Sequence, residues 1–274
     1  MKKISALLFA LLMSLSLTAC GGSETVKQAI GENMPDEMLP DEFCTVSEDG
    51  TKTTTRLDEN KNLAEKIYEY PDGRVAHYTY DENENPILLT ETSPDSSYWE
   101  VHYSPDGIAL VEISKAANGT YSEMRQSENG NLLLEIYEQP DGTYSEMRFA
   151  ESGTPLLEIC KLPDGSYGET QYNENGIITV DISGAPDGSV LRHEYDENGN
   201  LCMTINETPD GNVYKSQCDS NGMPVLDIHE TPDGSVYTYE YGGPMANIIR
   251  ETGTLADGSY YEYEYDENGH IINE

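Results

Sequence analysis

Positive charge is scarce in this chain: 15 Lys and Arg stand against 51 Asp and Glu, a formal charge of −36. So acidic a surface repels phosphate backbones and anionic headgroups, which excludes nucleic acid and an anionic membrane surface as binding partners. Recognisable reaction chemistry is scarce as well. No Ser, Cys or Asp sits in a nucleophile motif, and no glycine loop precedes a helix for phosphate binding. The sequence is therefore read as non-enzymatic, with no cofactor. The five histidines, His77, His102, His193, His229 and His270, have no metal-ligand spacing. Beyond Cys20, Cys44 precedes the array and Cys160, Cys202 and Cys218 fall in different units, with Cys202 expected to face outward and Cys218 inward, so no bridge is expected. Ile4 to Leu17 is an apolar run too short for an ordinary membrane span.

That run follows Lys2 and Lys3 and ends in Leu17-Thr18-Ala19-Cys20-Gly21-Gly22, so residues 1–19 read as a secretory signal. The end of the run resembles the lipobox of bacterial lipoproteins. The resemblance implies cleavage before Cys20, diacylglycerol on its thiol, and a chain anchored in a lipid bilayer and facing away from the cytoplasm. The mature chain would keep 13 cations against 51 acids, a charge of −38. Residues 20–44 show neither strand alternation nor a sustained apolar helical face, and are expected to form a tether reaching up to roughly 3.3 Å per residue.

The remainder is periodic. Pro-Asp-Gly or a degenerate form begins units at Glu48, Pro71, Pro94, Ala117, Pro140, Pro163, Pro186, Pro209, Pro232 and Ala256, every interval being 23 residues except the last, which is 24. A second turn follows about eleven residues later in the unit, as in Glu174-Asn175-Gly176 and Glu197-Asn198-Gly199. Proline presets φ, aspartate suits the next position and glycine takes the left-handed one, closing a type I turn with a bulge. The segments between turns run seven to nine residues and are rich in Tyr, Val, Ile, Leu and Thr. Residues 45–274 are thus expected to be an all-β antiparallel meander of about ten hairpins.

With a three-residue Glu-Asn-Gly loop, Tyr195 lies opposite Leu201, His193 opposite Met203 and Leu191 opposite Ile205, giving one apolar face on both strands. Met147, Phe149, Leu157 and Ile159 are the equivalent inward set. An odd period would invert the next unit's facing, so the Pro-Asp-Gly turn needs one more loop residue or a bulge, and a four-residue loop is expected. A kink or longer loop is expected at Tyr241 to Met245. The apolar face would be buried by coiling into a spiral, an open tube or a flattened two-layer solenoid.

The string Tyr195-Asp196-Glu197-Asn198-Gly199-Asn200-Leu201, followed by Pro209-Asp210-Gly211, resembles the YD repeat of the Rhs family. It recurs at Tyr265 to Gly269 and, relaxed, at Tyr80 to Asn83, so the resemblance covers roughly residues 45–274. It implies β-hairpins in a spiralling sheet, used in that family as a shell around a toxin or as a surface recognition module. The family commonly has Gly-Arg after the proline turn, whereas here Gly73-Arg74 alone has it. What carries over is the fold, not toxin delivery.

The same pairing sets Glu100 opposite Glu112, Glu123 opposite Glu135, Glu146 opposite Glu158 and Glu169 opposite Asp181 on the outward face. Opposed like charges are unfavourable, and a sequence that repeats them could hold Ca²⁺ or a basic partner. They could equally be a solvated acidic face, with Arg125 and Arg148 two residues along to neutralise part of it. Asp196, Asn198 and Asn200 resemble a calcium loop, but turn formation accounts for all three. Tyr121, Tyr144 and Tyr167 form one outward column, and aromatic rings suit sugars or protein partners. The expected function is a cell-surface lipoprotein whose repeats bind an extracellular protein or cell-wall glycan without catalysis. A structural spacer without a dedicated ligand and a Ca²⁺-binding acidic surface are the alternatives.

Overall fold

The computed structural model describes residues 40–243 and 246–273. They form twenty-one strands, β1 to β21 in chain order, in one antiparallel sheet, each strand pairing with those before and after it. The expected all-β meander of hairpins is the observed fold. Its first strand, β1 (Glu42–Val46), begins inside the segment assigned to the tether and pairs with Lys52–Leu57.

Both turns close in the same way. At the Pro-Asp-Gly turn the Gly211 N–H donates to the Thr208 carbonyl at 2.9 Å, and the Thr208 N–H donates to the Asn212 carbonyl at 2.9 Å. At the Asn-Gly turn the Gly199 N–H donates to the Asp196 carbonyl at 3.0 Å, and the Asp196 N–H donates to the Asn200 carbonyl at 2.8 Å. Each loop has three residues and ends on a glycine with positive φ, 87° at Gly211 and 84° at Gly199. The four-residue Pro-Asp-Gly loop is therefore not formed, and the two turns are equal rather than unequal.

The odd residue enters as a bulge in the strand after each Asn-Gly turn. Between β14 (Val190–Tyr195) and β15 (Leu201–Glu207), Tyr195 faces Leu201 as expected, but Glu194 faces Met203 and Arg192 faces Ile205, leaving Cys202 as the extra residue. Leu156 and Thr179 take that place in the hairpins of β10 (Tyr144–Phe149) with β11 (Pro155–Lys161) and of β12 (Tyr167–Tyr172) with β13 (Ile178–Gly184). A unit is thus a six-residue strand, a five-residue turn, a seven-residue strand and a second five-residue turn. Near the chain's end, β18 (Val236–Gly242) and β19 (Asn247–Thr254) extend this hairpin until Gly242 faces Asn247; Pro244 and Met245 lie outside the described residues.

The bulge removes the expected single apolar face. Paired residues share a face, so Leu157 and Ile159 lie with Arg148 and Glu146 on one side, face A. Met147 lies with Glu158 on the other, face B, where Phe149 and Pro155 keep their expected pairing. Apolar and charged positions now alternate across the strands: Ile136 sits between Glu123 and Glu146, and Met147 between Glu135 and Glu158. Long charged side chains cover their apolar neighbours with their methylene stems, so neither face is continuously apolar and little drives the sheet to stack. The main packing contacts of each described strand are with its neighbours in sequence. The described residues therefore form an open sheet one layer thick, without the interior columns expected of a tube or two-layer solenoid. Their buried apolar side chains, Leu57, Leu63, Ala76, Leu89 and Val101, all precede residue 102, and Tyr68, Tyr78, Trp99 and Tyr103 pack around the last three.

Candidate functional site

Four strands present one motif on face A: β6 (Tyr98–Tyr103), β8 (Tyr121–Gln126), β10 and β12. Each opens on a tyrosine, places glutamate two residues on and a polar or basic residue two further, all on one side because strand side chains alternate. The Tyr121 hydroxyl donates to Glu123 at 2.6 Å, and the Tyr98 and Tyr144 hydroxyls donate to Glu100 and Glu146. From the other side Arg125 pairs with Glu123, Arg148 with Glu146 and His102 with Glu100, while Gln171 donates to Glu169 at 2.6 Å. Glu123 and Glu146 are 8% and 6% exposed, yet the tyrosine hydroxyls, helped by the arginines, hold both carboxyls below the usual range against the opposing effect of burial. Burial and the same hydrogen bonds push Tyr121 and Tyr144 up to about 12. Successive triads are two strands apart, roughly 9.6 Å, with Ile113, Ile136 and Ile159 on the strands between.

The expected glutamate pairs are not opposed. Glu100 faces Ile113, Glu123 faces Ile136, Glu146 faces Ile159 and Glu169 faces Ile182. Glu112, Glu135, Glu158 and Asp181 face Val101, Met124, Met147 and Thr170 on face B. The cause in every case is the bulge, which shifts the register by one and sends the second acid of each pair to the other side. Tyr121, Tyr144 and Tyr167 do share a column with Tyr98, on face A, interleaved with Lys115, Glu138 and Lys161. Lys161 stands over the Tyr144 ring at 5.5 Å, and Tyr167 lies across Gly184, where a Cβ would come within 2.0 Å of the ring.

Face B carries a second row, which the bulge-free pairing missed. Its acids, Glu112, Glu135, Glu158 and Asp181, recur every 23 residues and are followed by Thr204, Asp227 and, after the inserted residue, Glu251. That spacing was a usable signal. Trp99 Nε1 donates to Glu112 at 3.0 Å, Tyr241 donates to Asp227 at 2.7 Å, and Tyr261 and Tyr265 donate to Glu251 at 3.0 and 2.9 Å. Burial pushes Glu135 up; fourteen residues on, where Glu158, Asp181, Asp227 and Glu251 have a tyrosine, it has Phe149. From β6 onwards every Lys and Arg among the described residues is on face A: Lys115, Arg125, Arg148, Lys161, Arg192, Lys215 and Arg250. Face B has only His193 and His229 to offset its acids there.

The Asp196 carboxylate is engaged by its own turn, accepting the Asn200 side-chain amide at 2.9 Å and the Asn200 and Asn198 N–H groups at 2.8 and 2.9 Å, and the Asn200 side chain, then the backbone bonds, hold it below the usual carboxylate range. No group of three or more His, Cys, Asp or Glu among the described residues is placed to hold a metal ion. His229 stacks on Tyr214 at 4.3 Å between ring centres. Cys44, Cys160, Cys202 and Cys218 are free thiols. Cys20 and the signal lie outside the described residues.

No family model matches the chain, and no curated protein matches it. Among solved structures it is similar to the SAS-4 (dCPAP) TCP domain from Drosophila melanogaster, solved with a proline-rich motif of Ana2 (dSTIL), at 14% identity and a TM-score of 0.26 over 75% of this chain and 94% of that one. It is also similar to TcdB2-TccC3 with Cdc42, at 13% identity and a TM-score of 0.23 over 88% of this chain and 17% of that one. TcdB2-TccC3 without its hypervariable C-terminal region gives 13% identity and a TM-score of 0.23 over 90% and 18%. The chain thus spans less than a fifth of the TcdB2-TccC3 chain's length. These likenesses carry no argument.

Proposed function

We propose that this chain is an exported lipoprotein, anchored through acylated Cys20, whose YD-repeat-like array is a non-catalytic binding module for an extracellular protein or cell-wall glycan. The observation that carries this reading is the open single layer: both faces meet solvent, and each repeats its side chains in straight rows, a form suited to a long partner. The spacer reading draws on one observation, that Glu123 and Glu146 are already satisfied within the sheet.

The test uses the full lipidated chain in neutral lipid vesicles, exposed separately to purified cell-wall glycan and to extracellular proteins. Retention of either, weakened in the Tyr121→Ser, Tyr144→Ser, Tyr167→Ser variant or in a face B variant of unchanged circular dichroism, supports the module. Retention of neither overturns it in favour of the spacer.

A further inference from the structure

Face B from β6 to β20 (Tyr260–Tyr265) is an unpartnered sheet surface with a clear electrostatic sign. Its central row offers Glu112, Glu135, Glu158, Asp181, Asp227 and Glu251, one acid per repeat except at Thr204, and no lysine or arginine shares that side. The acids are set among aromatic and thioether groups. Glu135 lies between Met124 and Met147, and Glu251 between Tyr239 and Tyr263. Face A is acidic in this stretch too, with eleven glutamates, but its seven Lys and Arg stand among them, whereas the six acids of face B have no Lys or Arg on their side, so charge complementarity favours a positive occupant most on face B.

The N-terminal end of the same face shows how it holds a cation. Arg74 lies over the Tyr70 ring at 4.7 Å and pairs with Asp72 of its own turn at 2.8 Å and with Glu91 at 3.1 Å; Glu91 is on face B, opposite Ala76 and Trp99. A guanidinium is held there by a tyrosine face, a turn aspartate and a face B glutamate together. That site does not recur: Ser97, Thr120, Thr143, Ser166 and Ser189 stand at the place of Arg74, Ser93, Ala116 and Gln139 at that of Tyr70, and Ser114 and Cys160 at that of Glu91, while the later acids lie two residues nearer the start of their strands, at the place of Leu89.

Resting on the binding-module reading above, we infer that face B docks a basic, extended polypeptide segment running across the strands. Successive acids are two strands apart, roughly 9.6 Å, and three residues of extended chain span about 10 Å. The partner therefore presents a lysine or arginine at about every third residue, each reaching one carboxylate with the stem on Met or Tyr.

The full lipidated chain in neutral vesicles is titrated with a labelled peptide of five Arg-Gly-Ser triplets, read by fluorescence anisotropy, beside a peptide of the same composition with its arginines in one block. The triplet peptide should bind more tightly than the block peptide, and binding should weaken with added salt. Glu135→Gln, Glu158→Gln, Asp181→Asn together should weaken it about tenfold, at roughly twofold per lost pair. Glu128→Gln, Glu151→Gln, Glu174→Gln, which removes equal charge from the turns, should leave it nearly unchanged. Equal weakening by both sets, or equal binding of both peptides, overturns the inference in favour of general attraction to an acidic protein. Peptide binding that is absent while cell-wall glycan is retained also overturns it and leaves the module reading standing. If neither peptide, glycan nor extracellular protein is retained, that reading falls as well.

Discussion

Glu146 offers a quantitative check on the single-layer architecture. Its carboxylate is 6% exposed, flanked by Ile136 and Ile159, and its partners are the Tyr144 hydroxyl and the Arg148 guanidinium. Tyr144→Phe with Arg148→Met removes both and leaves a buried charge without a donor. Because Arg148 is itself 58% exposed, its share is discounted towards that of a surface pair; the lost hydroxyl bond and the uncompensated carboxylate bring the penalty to about 2 kcal/mol. In a sheet whose strands pack mainly against sequence neighbours, that penalty is local. Amides of Leu132–Glu138 (β9), β10 and β11 should exchange with deuterium about 30-fold faster at neutral pH, since 1.36 kcal/mol is a factor of ten. Amides of Leu63–Glu69 (β3) and Pro224–Glu230 (β17) should be unaffected.

The pH dependence gives the same experiment a second reading. In the native chain Glu146 titrates below its unfolded value, so its contribution is present above about pH 4.3 and lost as pH falls through the lowered folded value. In the variant only burial remains, the condition of Glu135, whose carboxyl burial pushes up. The variant's penalty should then be full above its raised folded value and shrink as pH falls through it, when protonation removes the buried charge. Uniform acceleration in all strands would refute the local, one-layer account. An unchanged exchange rate, or a penalty that grows on acidification, would refute the assignment of Tyr144 and Arg148 as the groups that hold this carboxylate ionised.

Ser96 has φ 69° where most units have glycine, so Ser96→Gly should raise stability by about 1 kcal/mol, read as a higher urea midpoint at unchanged slope. Deleting Leu156 removes the extra residue while leaving Leu157 opposite Arg148 and Ile159 opposite Glu146, so β10 to β12 should keep their hydrogen-exchange protection; lost protection would show that the bulge does more than absorb the odd residue. The turn aspartates, among them Asp58, Asp81, Asp196, Asp219 and Asp266, are held low chiefly by bonds from their own turns. Their stabilisation is present above the unfolded value near pH 3.9 and lost as pH falls through the folded values, so the β signal in circular dichroism should persist from pH 7 to about 4 and collapse below. Cys20→Ala should abolish incorporation of radiolabelled fatty acid and release the chain from the membrane fraction; unchanged incorporation would remove the lipid anchor from the proposal.

The turns were legible because their chemistry is local: Pro209-Asp210-Gly211 and Glu197-Asn198-Gly199 specify their own dihedrals, and the pair Tyr195 and Leu201 follows from the loop length alone. The bulge was not legible at its own position. Leu156, Thr179 and Cys202 look like ordinary strand residues, and the parity of a 23-residue unit demands an extra residue without saying which segment takes it. The evidence lay in the charges. A register without the bulge opposes Glu100 to Glu112, Glu123 to Glu135, Glu146 to Glu158 and Glu169 to Asp181, the same unfavourable contact four times over. A bulge after the Asn-Gly turn relieves all four at once, placing Glu123 and Glu146 between isoleucines with Arg125 and Arg148 beside them. It also gives the two faces their different characters: the acids left on face A have partners within the sheet, whereas those sent to face B have no lysine or arginine beside them from β6 onwards.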